Sequence, residues 1–134
     1  MLIRNYPSIK ASAYAIFSSC GLYRWILTKS FDRFDRTLLF VGLNPSFANG
    51  CCTDPTLNRL CRFCGSMGYG RIVVVNLFAR VSRSSRFLKR CSDPVGKYNN
   101  DAISSSAFEW SQNPLWDLCF GWGKKGVLFE RNLE

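Results

Sequence analysis

A chain of 134 residues with 47% hydrophobic and 15% aromatic content holds enough apolar material for one buried core but not two, which excludes disorder. Eighteen Lys and Arg against 9 Asp and Glu leave a net charge of +9, so a polyanion, DNA or a nucleotide, is the expected partner, with a solvated basic face as the competing account. Histidine is absent, which excludes a Ser-His-Asp triad, a Cys-His pair and any imidazole-ligated metal within the chain.

Residues 1–20 are weakly patterned. Ala13 to Phe17 is apolar and precedes Ser18-Ser19-Cys20, a loose match to a lipoprotein cleavage site. The run is interrupted by Tyr14 and is short against the ~7–15 residues of a secretory h-region, so export is not expected and the cytoplasm is the expected compartment. Nor does any segment approach the roughly 18 apolar residues that would cross a bilayer, so no membrane partner is expected.

Leu22 to Ser30 reads as an edge strand, antiparallel to its neighbour, with Arg24 and Lys29 on the exposed side. Phe31 to Arg36 is a turn or hairpin connection. Thr37 to Leu43 is apolar enough for a central buried strand, and it stops abruptly at Asn44-Pro45-Ser46. A polar loop follows to Thr53. Asp54 caps and Pro55 opens a helix to about Met67, which Gly68-Tyr69-Gly70 breaks. Arg71 to Val75 is a second apolar strand, running into Asn76-Leu77-Phe78-Ala79-Arg80.

This strand, helix, strand order predicts a parallel βαβ unit with a right-handed crossover. Ser84 or Ser85 caps a short helix to Cys91, and Asp93-Pro94-Val95-Gly96 forms a turn. Asn99 to Gln112 is helical with Ile103, Ala107 and Trp110 inward, and Leu115 to Gly121 supplies a third parallel strand. The expected fold is a single α/β domain, a three-layer α/β/α arrangement around a mostly parallel sheet.

Seven cysteines, an odd number scattered through helical and strand-like segments, read as reduced thiols. Among Cys51, Cys52, Cys61 and Cys64 only the last two have ligand-like spacing, and on a helix they share a face with Leu57 and Leu60, which predicts burial rather than zinc. No metal and no cofactor are expected.

In open α/β sheets ligands bind outside the carboxyl ends of the strands, so the two strand-end asparagines mark the candidate site. Asn44 offers an amide oxygen and two N–H donors that hold a water or read a base edge, and it equally suits a role in tying its own loop. Ser46 is a candidate for phosphate contact. Asn76 would line the same crevice or bond a neighbouring strand-end loop, Phe47 and Phe78 are candidate stacking rings with Phe78 equally suited to the core, and Trp122 is a candidate wall after the third strand. Arg80, Arg83, Arg86 and Lys89 are the candidate nucleic-acid contacts; with Arg90 and Lys97 they face only Asp93 within the segment.

Several of these stretches together carry a resemblance: Tyr23-Arg24-Trp25-Ile26-Leu27, Leu38 to Ser46, Asp54-Pro55-Thr56-Leu57, Gly68-Tyr69-Gly70, Val74 to Ala79, Asp93-Pro94-Val95-Gly96 with Asn100-Asp101, and Gly121-Trp122-Gly123. Over about residues 15–126 the chain resembles an uncharacterised bacterial and phage family, the domain of unknown function 1643. More distantly, Gly42-Leu43-Asn44-Pro45 looks like the first motif of mismatch-type uracil-DNA glycosylases, and Val75-Asn76-Leu77 with Ala79-Arg80 is similar to a later strand of that superfamily.

The distant resemblance implies a uracil-DNA-glycosylase-like fold. It implies, for an enzyme, a DNA-glycosylase-like hydrolase in which Asn44 is catalytic and positions the attacking water. The late His-Pro or Asn-Pro loop of such glycosylases is missing, and the tail 127–134 departs from the family's pattern. The fold is therefore expected to be truncated at its C-terminus, with weak or no excision activity. A non-catalytic module binding nucleic acid, a nucleotide or a small anion is the alternative.

Overall fold

A computed structural model describes residues 2–7, 11–31, 34–46 and 55–123, with backbone only at 2–7, 11–12, 55–56 and 85. In chain order the elements are β1 (Leu2–Pro7), β2 (Ala11–Phe17), β3 (Arg24–Phe31), β4 (Arg36–Gly42), α1 (Pro55–Met67), β5 (Tyr69–Asn76), α2 (Ser85–Arg90), α3 (Asn99–Gln112) and β6 (Trp116–Phe120).

The apolar runs that mark β4 and β5 have a simple cause, burial on both faces of one sheet. Leu38, Ile72 and Val74 point to one side, where they meet Cys64 and the Leu57, Leu60 and Cys61 side chains of α1. Leu39, Val41, Val73 and Val75 point to the other, where Phe78, Leu88 of α2 and Ile103 of α3 complete a second cluster. Cys61 and Cys64 thus face the sheet, as their helical spacing predicts.

The six strands lie in the order β1-β2-β3-β5-β4-β6. β4 pairs in parallel with β5 and with β6, the three strands the sequence places side by side. The expectation of a mostly parallel sheet is corrected, because β1–β2, β2–β3 and β3–β5 all pair antiparallel. Strand β3 is likewise not an edge. Its polar residues suggested one, yet Leu27 and Thr28 are buried at its centre and the strand is hydrogen-bonded on both sides.

The extra strands come from the segment that appeared unpatterned. Ala15 and Phe17 are buried in the α1-side cluster while Tyr14 is exposed, so β2 does alternate, but small residues blur the signal. The Ala13 to Phe17 run lies inside β2.

Helix α3 is turned relative to its predicted inner face. Asn99, Ala102 and Ser106 are its buried residues and Trp110 is exposed. Ile103 does pack inward. Small side chains on the buried face let the helix approach the sheet closely, which a reading by hydrophobicity alone misses.

The connection from β4 through α1 leads to β5 on one side, and the connection from β5 through α2 and α3 returns past β4 to β6 on its other side. That reversal is the topology that opens a crevice at the carboxyl ends of parallel strands. At the opposite end Asp117 holds β6 in place. It accepts a hydrogen bond from Tyr69 Oη at 2.5 Å and pairs with Arg36, whose guanidinium lies 5.1 Å above the Tyr69 ring. The bond to Asp117, more than burial, raises the Tyr69 pKa above its ordinary value.

Candidate functional site

The strand pairing does not stop where β4 and β5 end. Leu77 N–H donates to Gly42 O at 3.0 Å and Phe78 N–H to Leu43 O at 2.9 Å, so the two exits run side by side. Farther out Ser82 N–H reaches Pro45 O at 2.8 Å.

Asn44 closes this arrangement. Its Nδ2 donates to Ser82 O at 2.8 Å and to Pro45 O at 3.2 Å, so its amide hydrogens tie the two loops together. Only Oδ1 remains for a water or ligand, since it accepts no hydrogen bond among the described residues. Ser46 stands beside it, half-buried and with contacts of its own. Phe47 lies outside the described residues, as do Asp54, Cys51 and Cys52.

Asn76 is the more unusual residue. It is 3% exposed at the end of β5, and its Nδ2 has no hydrogen-bond partner. Opposite it in the register stands Gly42, where an added Cβ would come within 2.8 Å of Asn76 Oδ1. The glycine therefore clears the space the amide occupies. A buried amide N–H left unpaired costs about 1–3 kcal/mol.

Asn99, which the sequence reading placed only at a helix start, pins α3 to the same edge. Fully buried, it donates from Nδ2 to Asn76 O at 2.9 Å and to Leu77 O at 3.1 Å, and its own Oδ1 is unpartnered. Nothing in the sequence distinguishes it from a solvent-facing residue in the first turn. The residue before it, Tyr98, is held at φ 68 with its ring edge-on to Trp25 at 5.9 Å.

The aromatic candidates divide. Phe78 is wholly buried in the α3-side cluster, the core placement that its position beyond β5 equally allows. Trp122 packs against the same cluster and lies against Phe120 with ring centroids 4.6 Å apart and planes tilted by 32°. Phe120 is 63% exposed and makes an aromatic wall that sequence reasoning missed. Gly121 N–H donates to Val41 O at 2.7 Å, and a Cβ there would strike the Phe40 ring, which fixes Trp122 next to the end of β4.

The basic candidates divide too. Arg80 is sandwiched, its guanidinium 5.8 Å from the Tyr23 ring and 5.2 Å from the Phe87 ring, with Nε buried and unpartnered. It braces a corner that Tyr23 builds by donating from Oη to Asp93 O at 2.8 Å and by resting its ring on Gly96. Burial foremost, then the Asp93 charge, pushes the Tyr23 pKa up. Arg80 is half-buried between two rings, whereas Arg83, Arg86 and Lys89 are exposed around α2, which Leu88 anchors to the core. Among the described residues no three His, Cys, Asp or Glu side chains gather as a metal site, and no helix is long and apolar enough to cross a membrane.

The edge therefore offers a buried N–H donor, an open amide oxygen, an aromatic wall and a cationic rim. A family model described as a protein of unknown function, DUF1643, matches residues 24–134. The match begins at the first residue of β3 and includes the tail 127–134, which the sequence reading set apart. No curated protein and no solved structure matches the chain.

Proposed function

The chain belongs to the DUF1643 family of proteins of unknown function, and we propose that it binds the base of a nucleic acid or nucleotide at the carboxyl edge of β4, β5 and β6. The observation that carries the reading is the unpartnered Nδ2 of buried Asn76. A base carbonyl supplies the acceptor this amide lacks, and a site built to hydrogen-bond one group discriminates strongly against ligands without it. Phe120 and Trp122 give a stacking surface at the same end of the sheet, on its α3 face, whereas Asn76 follows Ile72 and Val74 on the α1 face, so the base spans the strand ends to meet both. Arg83, Arg86 and Lys89 supply charge for the phosphates.

Anisotropy of a labelled oligonucleotide under salt titration tests this. Three neutralised phosphates give a log–log slope of about −2.7 on duplex DNA, from about −0.9 each, and alanine at Arg83 and Arg86 flattens it. Asn76→Leu weakens binding at every salt concentration without changing the slope. Absence of binding at low salt, or binding indifferent to Asn76→Leu, refutes the proposal.

A hydrolytic reading of the same edge rests on Asn44 Oδ1, which is open to a water. In that reading a base is extruded and the held water attacks the sugar carbon as the glycosidic bond breaks. Release of uracil or mismatched thymine that disappears in Asn44→Ala supports it, and a folded, DNA-binding protein that releases neither leaves binding alone.

A further inference from the structure

We propose that a second site, remote from the carboxyl edge and independent of the function above, binds an organic anion: a carboxylate attached to an apolar body. An open groove of about 660 Å³ runs between α3 and the sheet, within the size range of small-molecule sites. Its floor is made of two cross-strand rows. Tyr14, Thr28 and Val73 form one, and Arg71, Thr37 and Trp116 form the other, near the amino ends of β4 and β6.

Arg71 is the informative residue. Its Nε donates to Thr37 Oγ1 at 3.2 Å, and its guanidinium lies 5.0 Å from the centre of the Trp116 ring. One bond and one stack fix the plane of the fork. Its two terminal amino groups form no hydrogen bond or ion pair among the described residues, although Glu109 lines the same groove. Glu109 is engaged elsewhere, accepting at Oε2 from Asn113 Nδ2 at 3.3 Å. A planar fork held with both ends open matches a carboxylate in bidentate geometry.

The rest of the groove defines the remainder of the ligand. Ile26 and Val73 make part of the floor apolar, and Phe108 on the α3 wall is left 62% exposed. An ion pair this open to water contributes little by itself, so affinity requires a body that covers Phe108 and Val73. Simple anions lack that body. Amines meet Arg71 with the wrong charge.

The probe is 3-phenylpropionate, followed by ¹H–¹⁵N spectra that resolve the arginine Nε–H and tryptophan indole N–H signals. The expected result is saturable binding in about the millimolar range for a ligand of this size, with shifts at Arg71 and Trp116. Acetate and 3-phenylpropylamine leave both signals in place. Arg71→Gln weakens binding about fivefold, the upper end of what an ion pair this open to water contributes. Ser105→Trp fills the groove from the exposed helix wall with Arg71 intact, and abolishes binding in a protein whose remaining spectrum is unchanged. The proposal is overturned if the amine binds as well as the acid, if Ser105→Trp binds as the parent does, or if 3-phenylpropionate moves neither signal.

Discussion

Replacing Asn76 by leucine is expected to stabilise the protein while disabling its site. The side chain is 3% exposed and its Nδ2 is unpaired, so removing the amide recovers about 1–3 kcal/mol of desolvation cost. Leucine has a similar branched shape and adds apolar burial worth up to about 1.5–3 kcal/mol. Against this, the space beside Gly42 is tight: a Cβ there would already lie 2.8 Å from Asn76 Oδ1. Methyl groups are larger than the atoms they replace, and overpacking costs about 1–3 kcal/mol.

The balance is a net gain of about 1–2 kcal/mol. With a urea m-value of roughly 1.5 kcal/mol/M for a domain of this size, the unfolding midpoint rises by about 1 M. Asn99→Leu provides the contrast, because it strips partners from the carbonyls of Asn76 and Leu77. That variant is expected to lose about 1–3 kcal/mol, less whatever its own unpartnered Oδ1 already costs. A midpoint that falls in Asn76→Leu would mean that the amide is satisfied in the folded protein, and the reasoning for the site would fail with it.

Three further outcomes are expected. Gly96→Ala forces a Cβ onto a residue at φ +86 and within 2.6 Å of the Tyr23 ring, and should cost about 1–3 kcal/mol, read as a melting temperature lowered by several degrees. Arg80→Ala removes the guanidinium between Tyr23 and Phe87 and should lower stability by about 1–2 kcal/mol with an unchanged salt slope for DNA, whereas Arg86→Ala should leave stability within about 0.5 kcal/mol and flatten the slope. Burial pushes the Cys64 thiol up to about 11, so the folded state keeps a proton that the unfolded state loses near the ordinary thiol value of 9.0. Stability should be level below pH 8.5 and fall between about pH 9 and 11 by at most ~1.4 kcal/mol per pH unit from this group; urea titrations in which Cys64→Ala shows the same fall would reject the assignment.

The parallel pair of β4 and β5 was legible because strands buried on both faces must be apolar throughout, as Leu38 to Val41 and Ile72 to Val75 are. Helix ends were equally plain: Ser84 accepts from Arg86 N–H as a cap should, and Gly68 takes φ +84 after α1. The hairpin of β1 and β2 was not legible, since Ala and Ser carry little periodic signal and its stability comes from pairing with β3. The strand-end asparagines were found, but their roles were not. Which of Asn44 and Asn76 spends its amide on backbone carbonyls depends on where the 77–82 segment returns, a long-range fact absent from local sequence. Arg80 and Phe78 illustrate the same point. A basic or aromatic residue beyond a strand looks like a contact until the corner folds over it.

The place where the family match begins gives the amino-terminal hairpin a meaning of its own. Arg24 opens β3, so the matched part of the sheet ends at that strand, and β2 pairs along it from Ala11↔Phe31 to Phe17↔Arg24. Without that cover, β3 would present a row of open N–H and C=O groups ready to recruit another chain. The hairpin covers that row and moves the open edge of the sheet out to β1, beyond the matched residues. Exchange of hairpins between two copies would satisfy the same hydrogen bonds, so a strand-swapped dimer is the association this topology permits at no loss of pairing.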